Sequence, residues 1–332
     1  MMYLMVAAGL ILLLIGGEAL VRSAVALADR LGVPKLVIGL TVVAFGTSAP
    51  ELLVCVEAAL EGAPGIAMGN VVGSNIANVL LVVGLPALIA PFDVDRHVIN
   101  REGIAMVGAT LIVMVFCWLN AITFWPGLVL LALLSVFLWT SYLKARRGAA
   151  SAYAAEAAEL EEAAPKSPLL IALLLVIGMA GLVFGASLLV DGARSIALTA
   201  GVSEEVVGVT LVALGTSLPE LATTVVAAFR RHGDVAIGNV LGSNLFNLLG
   251  ILGITAMVRD IPVPPQMVSF DMWVMLGAAV LLLPFAWARI PVGRLAGLLF
   301  LAGYVGYVLA QFAGLSGMPA GHMAALPFRP LM

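Results

Sequence analysis

A long segment of this chain occurs twice. Residues 39–52, GLTVVAFGTSAPEL, reappear 169 positions later as GVTLVALGTSLPEL at 208–221. Residues 69–78, GNVVGSNIAN, reappear at the same offset as GNVLGSNLFN. Across 32–84 and 201–253 nearly half of the positions are identical without a gap. Such a repeat marks two copies of one folding unit, and the architecture turns on how the copies are disposed.

Hydropathy sets that disposition. Of 332 residues, 62% are hydrophobic and 11% charged, whereas a soluble domain carries roughly 25% charged residues. Crossing a hydrocarbon core takes about 20 apolar residues. Ten stretches qualify, near 2–27, 35–60, 66–91, 101–119, 122–143, 168–198, 204–229, 235–257, 268–287 and 291–313. The first lacks the basic leader and cleavage site of a signal peptide, so it reads as a retained span. Five spans separate repeat-equivalent positions, and an odd number turns the second copy upside down. The expected fold is an all-α membrane protein of ten transmembrane helices, built as two inverted five-helix repeats. These comprise residues 1–144 and 168–332, the second with a C-terminal tail, joined by a linker at 145–167. Inverted repeats with a site near the midplane are the signature of secondary transporters.

Basic residues divide by side. Loops after odd-numbered spans carry Arg30, Lys35, Arg96, Arg101, Lys144, Arg146, Arg147, Lys166, Arg230, Arg231, Arg289 and Arg294; the other face has only Arg259 and Arg329. The positive-inside rule then places the linker in the cytoplasm and both termini outside it, in a cell (inner) membrane. The linker's Glu156, Glu159, Glu161 and Glu162 read as the solvated face of a short helix. Cys55 and Cys117 lie in apolar runs and read as core.

The repeated segments place acids at membrane depth. Glu51 and Glu220 sit mid-span, where a carboxylate costs roughly 2.5–3.5 kcal/mol on insertion scales. No Lys or Arg lies within the core of the second, third, seventh or eighth stretch to neutralise them, which leaves protons or a bound cation. Thr47, Ser48 and Glu51 share one side of a helical turn, and Thr216, Ser217 and Glu220 repeat the arrangement. Pro50 and Pro219 offer no N–H to the carbonyls of Gly46 and Gly215, so carbonyls around Ala44–Gly46 and Ala213–Gly215 are expected to be released. Ser74 and Asn78 stand four apart on one face, as do Ser243 and Asn247. Asn70, Asn75, Asn239 and Asn244 read equally well as interhelical hydrogen-bond formers. An all-oxygen donor set suits Ca²⁺ or Na⁺ better than zinc or copper, and His97, His232 and His322 fall outside the spans. Glu18–Arg22 and Asp191–Arg194 read as intrahelical ion pairs.

With GTSAPE and GSNIAN in one half, and GTSLPE and GSNLFN in the other, the chain closely resembles the calcium/cation antiporter superfamily, specifically its prokaryotic sodium/calcium exchangers. The resemblance implies long first and sixth helices that slide against an eight-helix core. It also implies Ca²⁺ and Na⁺ as transported ions, with no cofactor and no nucleic-acid partner. By motif position, the family's ligands fall on Ala44 (carbonyl), Thr47, Ser48, Glu51, Ser74 and Asn78. In the second repeat they fall on Ala213 (carbonyl), Thr216, Ser217, Glu220, Ser243 and Asn247. Potassium-dependent members carry Asp where this chain has Asn247, which argues against potassium cotransport. The expected activity is Na⁺/Ca²⁺ antiport by alternating access, electrogenic and K⁺-independent. The alternatives are a Ca²⁺/H⁺ antiporter and, from a different class, a passive cation channel. No nucleophile–base pair or phosphate loop suggests an enzyme.

This orientation has a direct test. Cysteines introduced at Gly148 and Gly321 should react with an impermeant maleimide from opposite sides of the membrane. Labelling of both from one side overturns the inverted arrangement.

Overall fold

The structure is a computed structural model that describes residues 2–62, 64–92, 99–119, 121–156, 167–199, 213–264, 267–288 and 291–312. Residues 204–212 of the seventh stretch, Glu159, Glu161 and Glu162 of the linker, and His322 in the tail lie outside the described residues. The helices are α1 (Met2–Leu31), α2 (Lys35–Thr47), α3 (Ala49–Leu60), α4 (Gly65–Ile89), α5 (Arg101–Trp118) and α6 (Phe124–Glu156). They continue with α7 (Pro168–Thr199), α8 (Ala213–Thr216), α9 (Leu218–Phe229), α10 (Gly233–Val258), α11 (Met267–Phe285) and α12 (Arg294–Phe312). Among the described residues, eight helices are long and apolar enough to cross a membrane, or nine when the bent pair α2/α3 counts as one. α9 is a shorter apolar helix. The chain is therefore an all-helical, multi-pass membrane protein. The fifth stretch does not end at 143: α6 continues through the Ala-rich segment to Glu156, because ASAYAAE holds strong helix formers and no proline.

Burial separates centre from rim. Within their most apolar windows, 83% of α10 and 72% of α4 is buried, against 33% of α1 and of α7. The central core joins α4, α5, α10 and α11 through side chains such as Met68, Ile76, Met106, Leu241, Leu248 and Met275. Both cysteines are free and buried there.

α1 and α7 form a close antiparallel pair at the rim. A methyl group on Gly9 would come within 2.7 Å of the Leu189 nitrogen, and one on Gly178 within 2.8 Å of the Leu20 nitrogen. Lipid supplies no hydrophobic drive between helices, so the pair depends on backbones brought together by small residues. The outer faces expose Leu10, Ile11, Leu14 and Ile15, with Leu173, Val176, Ile177 and Phe184, as a lipid-facing surface must.

The ion-pair expectations divide. Glu18 of α1 does accept from Arg22, but it also accepts from Arg230, just past α9, with Nε at 3.0 Å. The pair thus ties two helices together rather than decorating one. No ion pair between Asp191 and Arg194 occurs among the described contacts.

Matched features recur in the two halves. Gly127 of α6 meets Gly253 of α10, and Gly297 of α12 meets Gly84 of α4. Wide π-helical turns occur at Asn78–Val83 and Phe246–Ile251, and again at Ile99–Gly103 and Met267–Asp271. A two-residue antiparallel pairing joins Ala121–Ile122 to Ile261–Pro262, and a bridge joins Phe92 to Val292. α5 begins near the second of these links and ends at the first, while α11 runs the other way. α5 and α11 therefore run antiparallel, as α1 and α7 do.

Leucine at Gly178 should wedge α1 from α7. We expect a lower melting midpoint in detergent, corresponding to about 1–3 kcal/mol of overpacking. Alanine at Gly108, where an added methyl meets nothing within 4 Å, should leave the midpoint unchanged.

Candidate functional site

Two helix breaks build the site. α2 gives way to α3 at Ser48 with a bend of 44°, and α8 gives way to α9 at Ser217. Both serines hold nearly the same off-helix backbone, φ −85°, ψ 5° and φ −87°, ψ 2°. Pro50 and Pro219 fall in the first turn of the following helix, where a missing N–H costs nothing. Gly46 and Gly215 do more than ease the bend. A methyl on Gly46 would lie 2.2 Å from Met179 Sδ, and one on Gly215 2.6 Å from Val190 Cγ2, so α7 lies against both breaks.

The breaks deliver polar side chains into a buried centre. Glu51 and Glu220 are fully buried, with Thr47, Ser48, Ser74, Asn78, Ser217, Ser243 and Asn247; Thr216 is half-buried. Ser48 Oγ donates to Glu220 Oε1 at 3.0 Å, and Ser243 Oγ donates to the same oxygen at 3.4 Å. Thr47 Oγ1 lies 3.5 Å from Ser243 Oγ. Residues far apart in sequence, from α2, the Ser48 break, α9 and α10, thus converge on one carboxylate. No described basic side chain pairs with Glu51 or Glu220.

Gly238 and Gly242 make the approach of α10 possible. Their α-carbons face the Leu36 and Leu40 carbonyls of α2, and a methyl on Gly242 would come within 2.6 Å of Leu40 O. Only glycine permits that spacing, which carries Asn239 and Ser243 to Thr47.

Several buried polar atoms have no hydrogen-bond partner among the described residues. They include both Glu51 oxygens, Glu220 Oε2, Ser74 Oγ, Ser217 Oγ, and the amide atoms of Asn78 and Asn247. Buried polar groups are ordinarily paired, so this concentration needs an occupant. The donor set is carboxylate, hydroxyl and amide, which suits a hard cation of the calcium or sodium kind. No cluster of His, Cys, Asp and Glu suited to a resident metal occurs among the described residues.

One expectation is corrected at Ala44. Its carbonyl is not released, because it accepts Ser48 N–H at 3.0 Å, with Thr47 Oγ1 a further 3.3 Å contact. The break falls after this bond, at Ser48. In the second half the turn is tighter: Ser217 N–H bonds Leu214 O at 3.2 Å rather than the Ala213 carbonyl. The asparagines that point away from the carboxylates have other work. Asn75 Nδ2 donates to Val71 O at 2.7 Å, and Asn244 Nδ2 reaches Asn75 O at 3.5 Å and Met106 Sδ at 3.2 Å. Asn239 is different, since it bonds Thr47 directly. Its recurrence with Asn70 was the available sequence signal; its contact was not.

A multi-helical membrane fold with paired acids at two helix breaks is the architecture of an ion carrier. The family described as sodium/calcium exchanger protein matches residues 1–143 and 170–313, and the chain belongs to that family. It is 35% identical over 315 residues to the putative antiporter CaxA of Alkalimonas amylolytica, covering 92% of this chain and 97% of that one. It is 32% identical over 347 residues to the sodium/calcium exchanger MaX1 of Methanosarcina acetivorans, covering 93% and 98%. Its fold matches the sodium-calcium exchanger NCX_Mj, soaked with zero Na⁺ and Ca²⁺, with TM-score 0.80 and 34% identity, covering 93% of this chain and 98% of that chain.

An uncompensated buried carboxylate destabilises the empty protein. Glu51→Gln should therefore melt no lower than the parent in ion-free detergent and should lose any calcium-induced rise in midpoint. A large drop in the ion-free midpoint would assign Glu51 a structural role instead.

Proposed function

We propose that the chain exchanges Ca²⁺ for Na⁺ by alternating access, with Glu51 and Glu220 as the charged centre of one shared ion site. The observation that carries this reading is the pair of fully buried carboxylates, unpaired with any described base, among oxygen donors at two helix breaks. The remaining ligands are the side chains of Thr47, Ser48, Ser74, Asn78, Thr216, Ser217, Ser243 and Asn247, with the Ala44 and Ala213 carbonyls. Ala44 and Ala213 each lie four residues before a break serine, where a small change at the break frees or occupies a carbonyl.

The full arrangement is ten spans in two inverted repeats, with 204–229 as the seventh, the 145–167 linker in the cytoplasm and both termini outside it, in the inner membrane. α1 and α7, paired with each other and facing lipid, are the elements that move. An empty site with two bare carboxylates resists reorientation, which enforces exchange over leak.

Two site carboxylates balance one Ca²⁺ and leave no excess negative charge for K⁺ beside it, since Asn247 contributes a neutral amide. Three Na⁺ exceed that charge by one, so transport is electrogenic. A tenfold sodium gradient supplies roughly 1.4 kcal/mol per ion, and one charge moved through 100 mV roughly 2.3. Two sodium ions then support about a hundredfold calcium gradient, whereas three with one net charge support more than ten-thousandfold.

Calcium uptake into proteoliposomes tests the reading, with sodium, potassium and proton gradients imposed separately under a clamped potential. Uptake should follow sodium steeply, respond to voltage and ignore potassium, and either Glu51→Gln or Glu220→Gln should abolish it. Flux driven by pH and blind to sodium would favour proton exchange. Uptake without countertransport would favour a channel.

A further inference from the structure

We infer that Asn239 is a positioning residue that fixes the direction of the Thr47 hydroxyl, so that the Thr47 oxygen and the Ala44 carbonyl present lone pairs to the ion. This rests on the proposed ion site and adds a device to it.

The argument is a chain of forced donor and acceptor roles. The Glu220 backbone carbonyl can only accept a hydrogen bond. It lies 3.3 Å from the Asn239 amide, so the amide nitrogen must face it. That nitrogen donates its other proton to Thr224 Oγ1 at 3.1 Å. With the nitrogen fixed, the amide oxygen must point the opposite way, to Thr47 Oγ1 at 3.1 Å. An amide oxygen can only accept, so the Thr47 hydroxyl donates its single proton there. A hydroxyl that ligates a cation must turn its lone pairs to the ion and place its proton elsewhere. Asn239 supplies that place, on a fully buried side chain.

Ala44 makes the consequence specific. Its carbonyl is the competing acceptor for the Thr47 proton, at 3.3 Å, and already holds Ser48 N–H. Without Asn239 the hydroxyl proton falls back onto this carbonyl, and a carbonyl assigned to the ion loses its second lone pair. The interhelical-glue reading of Asn239 predicts no such link to ion affinity.

The other half holds a weaker copy. Thr216 Oγ1 reaches Asn70 Oδ1 only at 3.5 Å, and Asn70 Nδ2 contacts Cys55 Sγ at 3.4 Å. Cys55 stands at the position equivalent to Thr224, where a thiol is a poorer acceptor than a hydroxyl. The two halves thus fix their threonines to different degrees.

Calcium binding measured by titration calorimetry in sodium-free detergent provides the test, as a double-mutant cycle. Asn239→Ala should weaken binding roughly tenfold, the value of one buried hydrogen bond near a charge. In a Thr47→Val background the same change should cost less than twofold, because the hydroxyl it orients is gone. Thr224→Val, which leaves Asn239 in place but removes its anchor, should weaken binding less and should likewise lose its effect beside Thr47→Val. This second cycle decides the matter if Asn239→Ala does not fold. A full, additive loss in the Thr47→Val background overturns the inference while leaving the ion site standing. Unchanged calcium binding in both Thr47→Val and Glu51→Gln overturns the site itself, and the inference with it.

Discussion

A carboxylate taken out of water without a counter-charge costs several kilocalories per mole, and Glu51 and Glu220 are both fully buried. Glu51 and Glu220 have no described basic partner, so the surrounding structure must hold them for something that arrives. The helix breaks, the glycine contacts and the ring of hydroxyls and amides all follow from that constraint. Serines rather than bases face Glu220 because hydroxyls stabilise a carboxylate without neutralising it. The charge remains available.

The rim and the centre divide the labour. α4 and α10 are buried by their neighbours and give the site fixed walls, with glycine contacts that leave little freedom to shift. α1 and α7 face lipid and adhere mainly to each other. α7 touches the helix breaks through the side chains of Met179 and Val190. The half-exposed Glu18–Arg230 contact adds a tether between α1 and the end of α9; at such exposure its contribution to stability is small. This distribution suits a carrier, in which a rigid site is uncovered from alternate sides by a mobile pair.

The proposed inversion of the two halves is also a solution to symmetry. Two copies in one orientation would place Glu51 and Glu220 on parallel helices with the same end open. Inverted copies let one break serve the other, as Ser48 does in donating to Glu220. The exact match is not preserved: Thr224 became Cys55, Asn239 became a half-buried Asn70, and Phe270 stands where Arg101 pairs with Glu102. Such departures let one site treat its two sides differently.

Much of this was legible in the residues alone. The repeat, the membrane-spanning helices, the buried acids without described bases and the oxygen-only donor set all follow from sequence, because periodicity and hydropathy are local properties. The prolines fixed where helices break, since a missing N–H acts within one turn. What the chain could not reveal alone was contact between distant segments. Nothing in the spacing announced that Asn239 would accept from Thr47, that Glu18 would reach Arg230, or that Gly46 makes room for Met179. Nor did it reveal that Ala44 keeps its hydrogen bond, which depends on the break falling one residue after that bond closes. Sequence determined which groups are buried in a membrane and at what price. Tertiary structure alone decided which of them meet, because a hydrogen bond is set by angstroms between helices that the linear chain does not specify.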